Sequence, residues 1–305
     1  NLGVISGLIP PSFGGLGGSG EDICIIFELV GKSLCIEPFL SSGLLSSTIL
    51  SSIKNPKTEL INQIIDGELL VSFAHMEMNN RYEDHFVESK AFFEDENWKL
   101  NGSKSFVING DSADKVIISA RIEGKINDKN GIGLFLVDNN QINNRSYNTI
   151  DGYRAAELNF DNINAELLCE DDLALECIIK ANSAGALALS AEAIGIMQVC
   201  FDLTLDYLKT RKQFGKSIGS FQSIQHRMVD MMLEIEQVRS AVMLASSTFE
   251  TNSSTRDKNI SAAKNLVGRV GKLIAEESIQ LHGGIAMTWE YSVAHYAKRL
   301  IMIDH

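Results

Sequence analysis

Four cations fall within eight residues of an acidic chain: Lys209, Arg211, Lys212 and Lys216, in a protein of formal charge -12. They surround Arg211-Lys212-Gln213-Phe214-Gly215, and Ser220-Phe221-Gln222-Ser223-Ile224-Gln225-His226 follows at once. A positive knot of this kind suits an anion, and the planar fork of an arginine suits phosphate. The same residues also read as a basic helix C-terminus that complements the macrodipole. About seventy residues on stands Gln280-Leu281-His282-Gly283-Gly284. Two glycines after a helix make a C-cap, and they also leave backbone N–H groups open to a close-lying anion.

Other chemistry-bearing patterns are weaker. Gly15-Leu16-Gly17-Gly18-Ser19-Gly20 matches G-x-G-x-x-G, but Pro10-Pro11-Ser12-Phe13 precedes it where a dinucleotide fold needs a strand. A loop opening a helix is the better reading. The six histidines, at 75, 85, 226, 282, 295 and 305, show no metal-ligand spacing, so no metal site is expected. His226 reads as a surface or interface residue. Ser, His and Asp are present without a nucleophile elbow.

The elements that must carry these residues fall in three zones. Residues 1–70 read as helices and loops, with helices expected at Glu21–Leu34, Ser42–Ile53 and Lys57–Ile65. Residues 71–167 read as a β-domain, an antiparallel barrel or sandwich. Lys115–Ala120 and Ile132–Val137 are its clearest strands, and Leu100–Ser103 and Asn109–Asp111 its turns. Residues 168–305 read as a helical bundle. Met228, Met231, Ile235, Val238, Val242 and Ala245 repeat three and four apart, a seam for packing or for subunits. Ile260, Ala263, Val267, Val270 and Ile274 mark a second helix, in which Gly268 and Gly271 permit close packing.

Composition sets the bounds. With 45% apolar and 22% charged residues and only four prolines among 305, the chain can build a core. An excess of 39 acidic over 27 basic residues argues against a nucleic-acid partner. Five cysteines without a C-x-x-C pair point to reduced thiols and a cytoplasmic location. The longest unbroken apolar run, Ile23–Phe27, is too short to span a membrane. The chain opens on Asn1 rather than Met, which leaves room for residues before it.

Arg-x-Gln-Phe-Gly with a Gln eleven residues after the Arg, followed by Gln-x-x-Gly-Gly, resembles the acyl-CoA dehydrogenase family. Pro10–Gly17, the Asn101-Gly102-Ser103-Lys104 segment, Asp151–Glu157 and Trp289-Glu290-Tyr291 are also similar to that family, so the resemblance covers essentially the whole chain. It lies nearest the small-subunit branch related to pimeloyl-CoA dehydrogenase, and the family's first helices are largely absent here. The resemblance implies an α+β fold: N-terminal helices, a central antiparallel β-barrel or sandwich, and a C-terminal four-helix bundle. It implies FAD as cofactor and α,β-dehydrogenation of an acyl-CoA thioester to the 2,3-enoyl-CoA. Partners would be the acyl-CoA, an electron-transfer acceptor, and other subunits in a homo- or hetero-oligomer, a dimer or tetramer with a paralogous larger chain. Arg211, Phe214, Gln222, Gln280, His282, Gly283 and Gly284 would hold the diphosphate and adenosine side of a neighbour's FAD. Phe106 and Met76 would flank the ring.

Two departures stand out. The family's catalytic Glu before Arg-x-x-Phe-Gly falls at Gly185, and its neighbouring Arg at Ala186; the alternative Glu falls just beyond His305. Asp304 is a nearby carboxylate that reads more naturally as a surface charge. The family's ring-bonding threonines are replaced, with Met76-Glu77 for Thr-Glu and Phe106-Val107-Ile108 for Trp-x-Thr. Loss of two such bonds would cost about 1–3 kcal/mol of flavin binding. The rival expectation is a structural subunit that completes the FAD site of a catalytic paralogue.

Overall fold

The computed structural model describes residues 3–80 and 82–304. Asn1 and His305 lie outside them. The helices are α1 (Gly20–Ser33), α2 (Ser47–Ser52), α3 (Thr58–Asp66), α4 (Asp171–Thr210), α5 (Gln222–Ser247), α6 (Ser253–His282) and α7 (Val293–Asp304). The strands are β1 (Val71–Ala74), β2 (Lys90–Glu94), β3 (Asn97–Ile108), β4 (Lys115–Arg121), β5 (Ile132–Asp138), β6 (Asn143–Asn148), β7 (Arg154–Glu170), β8 (Lys212–Gln213) and β9 (Lys216–Ser217). They form two compact units: Asn1–Gly18 with Glu37–Gly185, and Ser19–Ile36 with Ala186–His305.

The first unit is built on a seven-stranded sheet. Its path β4–β2–β3–β7–β5 returns to β4, so the sheet closes on itself. The antiparallel expectation needs one correction. β1 pairs with β4 in parallel, Val71 opposite Lys115, and β2 touches β4 in parallel at Lys90 and Arg121. Val71 and Ala74 of β1, with all of Val116–Arg121, are buried, so apolar runs rather than alternation mark these strands. A second correction concerns Asn101-Gly102. It is not a turn but part of β3, where the register against β7 slips between Leu100 and Gly102. Gly102 takes φ +148°, and a Cβ there would meet Ser89 Oγ at 2.5 Å, so the glycine serves a bulge. The Asn109-Gly110 turn stands where expected, after β3, with Asn109 at φ +57°.

Helices of this unit pack Ile49, Leu50, Ile61, Ile64 and Ile178 against Val71, Ile117, Leu134 and Leu136. Before α2 the chain forms a π-helical stretch, Phe39–Ser46. Its buried hydroxyls bond inward: Ser46 Oγ donates to the Val71 carbonyl at 2.9 Å, and the Val71 N–H donates to Ser42 Oγ at 3.1 Å. These bonds satisfy the carbonyl and N–H of Val71 at the start of β1.

The second unit is helical. Ser19 caps α1 in a capping box with Asp22, which explains the helix start that the glycine run only suggested. The α5 and α6 stripes fall on buried faces as their period requires: Met231, Ile235, Val238 and Val242 in one, Ile260, Val267, Val270 and Ile274 in the other. Close approach is real at Gly268, where a Cβ would sit 1.8 Å from Asp304 Oδ1, and is not required at Gly271, where the nearest atom is at 3.6 Å. Arg299 of α7 donates to both oxygens of Glu192, at 2.6 and 2.9 Å, a buried bidentate pair.

The expectation drawn from the short Ile23–Phe27 run missed α4. An 18-residue window of this 40-residue helix has mean hydropathy 1.6, enough by length and composition for a membrane span. Since 72% of that window is buried within the protein, α4 is a core helix here. All five cysteines are free thiols.

Candidate functional site

The anion-seeking residues lie in the second unit. Arg211 follows the last turn of α4, and its N–H still donates to the Tyr207 carbonyl at 2.8 Å. β8 and β9 then form a hairpin whose two turn residues, Phe214 and Gly215, take φ +54° and +79°. Positive φ at both positions is the I′ turn that matches the twist of a two-stranded ribbon. It presents Phe214 to solvent, 89% exposed. Phe214 meets Phe221 edge-on at 6.3 Å between centroids, and Lys216 Nζ lies 4.2 Å over the Phe221 ring. Gln222 opens α5 and is exposed. Among the described residues none of Lys209, Arg211, Lys212 and Lys216 has a carboxylate partner.

The diglycine ends α6. Gly283 takes φ +70°, and neither it nor Gly284 has an atom within 4 Å of where a Cβ would stand. Gln280, Gly283 and Gly284 are exposed. His282 points the other way. It is buried, its Nδ1 lies 2.8 Å from the Ser278 carbonyl, and its ring stacks on Tyr207 at 4.6 Å and tilts against Tyr291 at 5.0 Å. Burial holds its pKa below the usual histidine range, against the pull of the Ser278 and Leu203 carbonyls. The expected bond from His282 to a phosphate therefore has no exposed nitrogen behind it. Its ring instead ties the diglycine end of α6 to Tyr207, one turn before Arg211. That aromatic cluster brings the ends of α4 and α6 together, and no site role was expected for Tyr207 or for Tyr291, which stood only in the Trp289-Glu290-Tyr291 segment. The one available signal was the one-turn Tyr207–Arg211 spacing. Unpaired cations, open glycines and an exposed aromatic make a donor set that fits a nucleotide diphosphate.

The ring-side pair lies in the first unit. Met76 is half-buried just past β1, and its carbonyl accepts the Ser105 N–H at 2.9 Å, which sets Met76 beside Phe106. Phe106 stands in a second slip of β3, between Lys104 and Val107, at φ +51° and 41% exposed. A bulky residue held left-handed is strained, and such strain collects at functional positions. Beneath this surface Lys104 and Glu77 form a buried ion pair at 2.6 Å. Burial pushes the Glu77 carboxyl up, but the Lys104 charge and the bonds from Lys104 and Ser89 outweigh it and hold it below the ordinary carboxylate range. Burial pulls the Lys104 ammonium down against Glu77. It also drives His75, bonded at Nδ1 to Ser119 Oγ, down to about 3.

Residues 175–302 match the acyl-CoA dehydrogenase C-terminal domain. Acyl-CoA dehydrogenase IpdE2 of Mycolicibacterium smegmatis is 29% identical over 298 residues, which span 98% of this chain and 78% of that protein. The chain is thus similar to acyl-CoA dehydrogenases over nearly its whole length. Its fold is that of solved acyl-CoA dehydrogenases. The ChsE4-ChsE5 complex of Mycobacterium tuberculosis superposes with TM-score 0.87 at 20% identity, over 99% of this chain and 80% of that one. A FAD complex of PigA superposes with TM-score 0.87 at 22% identity, over 98% and 82%.

At the first position where an acyl-CoA dehydrogenase was expected to place its base, the structure adds a steric fact. A Cβ on Gly185 would lie 2.9 Å from Leu45 Cδ2, with Leu40 Cδ1 at 4.0 Å. Apolar side chains from the π-helical stretch occupy the space a longer side chain would need. Asp304 is exposed, yet its carboxylate lies against Gly268 of α6 and its carbonyl accepts from Lys264 Nζ at 3.2 Å. It packs against a helix rather than lining a cleft.

Proposed function

We propose that the chain is a subunit of a FAD-dependent acyl-CoA dehydrogenase that forms a 2,3-enoyl-CoA from an acyl-CoA thioester. The observation that carries this reading is the open anion site of the second unit: unpaired Arg211 and its lysines beside a diglycine that nothing fills. The cofactor is FAD. Arg211 binds its diphosphate with a charge-assisted fork, while Gly283 and Gly284 allow the backbone to approach. Gln222 and Gln280 bond the adenosine side, Phe214 covers it, and His282 acts from beneath by holding the α6 end against Tyr207. Phe106 and the backbone at Met76 flank the ring, which supplies the hydride-accepting chemistry when bound. The residues past His305 or another chain supply the base. The half-site on the second unit serves a neighbouring subunit, and the assembly delivers electrons to an external acceptor.

A second reading has its own support. Leu45 fills the space at Gly185, and the ring-side hydroxyls are gone, so the chain can serve as a structural partner that completes a paralogue's flavin site. The ChsE4-ChsE5 complex, whose fold this chain shares, is itself an assembly of two chains. A small-subunit role of the pimeloyl-related kind, a cytoplasmic location and the three-part division 1–70, 71–167 and 168–305 belong to the same proposal. Purification decides between the readings. If the chain is catalytic, it is yellow alone and reduces an electron acceptor with acyl-CoA. If it is structural, it is colourless and inactive until its paralogue is added.

A further inference from the structure

We propose that the buried Lys104–Glu77 pair is a positioning clamp that fixes the surface formed by Met76 and Phe106. This rests on the reading of those two residues as the ring side. The geometry is specific. All three protons of the Lys104 ammonium are used: on Glu77 Oε1 at 2.6 Å, Ser119 Oγ at 3.0 Å and the His75 carbonyl at 3.3 Å. Two of these acceptors, the His75 carbonyl and the Glu77 carboxylate, come from the residues on either side of Met76. The Ser105 N–H, next to Lys104 in sequence, takes the Met76 carbonyl itself. Three consecutive residues past β1 are thus each tied to Lys104 or Ser105, and Phe106 follows at once in the register slip of β3.

Glu77 is as fully engaged. Its Oε1 also accepts the Ser89 N–H at 3.0 Å and the Ser89 hydroxyl at 2.7 Å, and its Oε2 accepts the Glu88 N–H at 2.6 Å. The charges that face the pair are Glu88 and Arg121. The side chains are 0% and 2% exposed. A buried ion pair of this kind adds little net stability over a neutral pair of similar volume, because desolvation offsets the attraction. What it does supply is orientation, since each bond has one acceptor and one direction. The need for orientation is plain at Phe106. Its φ of +51° persists only if neighbours over-determine it, and from the far side its N–H has just one long bond, 3.4 Å to Glu157 Oε1. Glu157 is itself steadied by the Tyr147 hydroxyl at 3.0 Å.

The test is the neutral pair K104M/E77Q, made in whatever assembly holds FAD, with F106A as reference. We expect thermal unfolding close to the parent. Amide exchange should accelerate in residues 74–78 and 103–109 but not in α5. FAD affinity should fall about tenfold and the visible circular dichroism of the flavin should change. Unchanged exchange in the two segments overturns the clamp, as does a uniform loss of protection, which would make the pair scaffold only. If F106A alters affinity and dichroism while K104M/E77Q does not, the clamp fails and the ring-side reading survives. If neither variant alters them, the ring-side reading has failed and the clamp's flavin role falls with it. Should K104M/E77Q not fold, Ser89→Ala removes the hydroxyl bond to Glu77 Oε1 and leaves the ion pair in place. It must then show the same confined acceleration to a smaller degree, and uniform or absent acceleration again overturns the proposal.

Discussion

The two halves of the candidate site are built by opposite means. In the second unit the candidate anion site is all surface: an exposed hairpin, cations without a carboxylate partner among the described residues, and glycines with empty space beside them. In the first unit the ring side is a thin apolar surface over a dense buried network of Lys104, Glu77, Ser89, Ser119 and His75. Recognition of a diphosphate needs donors that are free, so that half is kept open and loosely held. Presentation of a strained aromatic needs neighbours that cannot move, so that half is rigid underneath. Removing one member of the buried pair should therefore act through stability, and removing an exposed cation through affinity.

The largest effect belongs to the rigid half. Lys104→Met alone strands a buried carboxylate and should cost about 3–5 kcal/mol, read by denaturant unfolding. A loss no greater than that of a surface lysine would show the network to be slack. Next is the open half. Arg211→Ala should leave unfolding unchanged but weaken FAD by about 2 kcal/mol, roughly 30-fold by titration. Unchanged flavin occupancy after dialysis would remove Arg211 from the site.

Acid sharpens the contrast further. The His75 pKa is about 3 in the folded protein against 6.5 for a free histidine side chain, because burial and Lys104 disfavour its charged form. The unfolded chain thus binds a proton that the fold refuses. Stability from this group is complete above about pH 6.5 and is lost as pH falls from there toward 3, at no more than about 1.4 kcal/mol per pH unit. His75→Asn should flatten that slope in unfolding curves taken between pH 6.5 and 4, and an identical slope would contradict the assignment. The smallest effect is Gly284→Ala. With open space at its Cβ it should change stability by less than about 0.5 kcal/mol while still reducing FAD affinity.

How much of this was legible in the sequence follows the same division. The anion motifs could be proposed from sequence because their residues stand in short runs, Arg211–Gly215 and Gln280–Gly284. The α5 and α6 stripes were legible from period alone. The strands were harder where pairing overrides local signals. Asn101-Gly102 has turn chemistry, yet β7 on one side and Ser89 on the other hold it as a bulge. The true β2–β3 turn, Asp95-Glu96, places two acidic residues at positive φ without a glycine to announce it. β6, Asn143-Asn144-Arg145-Ser146-Tyr147-Asn148, is an exposed polar edge with no apolar alternation to see. The His282 ring was expected outside, because sequence shows a residue's neighbours but not that Tyr207 and Tyr291 would enclose it. The obstruction at Gly185 was equally hidden, since Leu45 lies 140 positions away.

The unequal halves can be tested by competition. In the assembly that holds FAD, ADP, which carries the diphosphate and adenosine without the ring, should displace FAD. Riboflavin, which carries the ring alone, should not, and Arg211→Ala should weaken ADP binding about as much as it weakens FAD, roughly 30-fold. Riboflavin displacing FAD as well as ADP does, or ADP binding Arg211→Ala as tightly as the parent, would contradict the account.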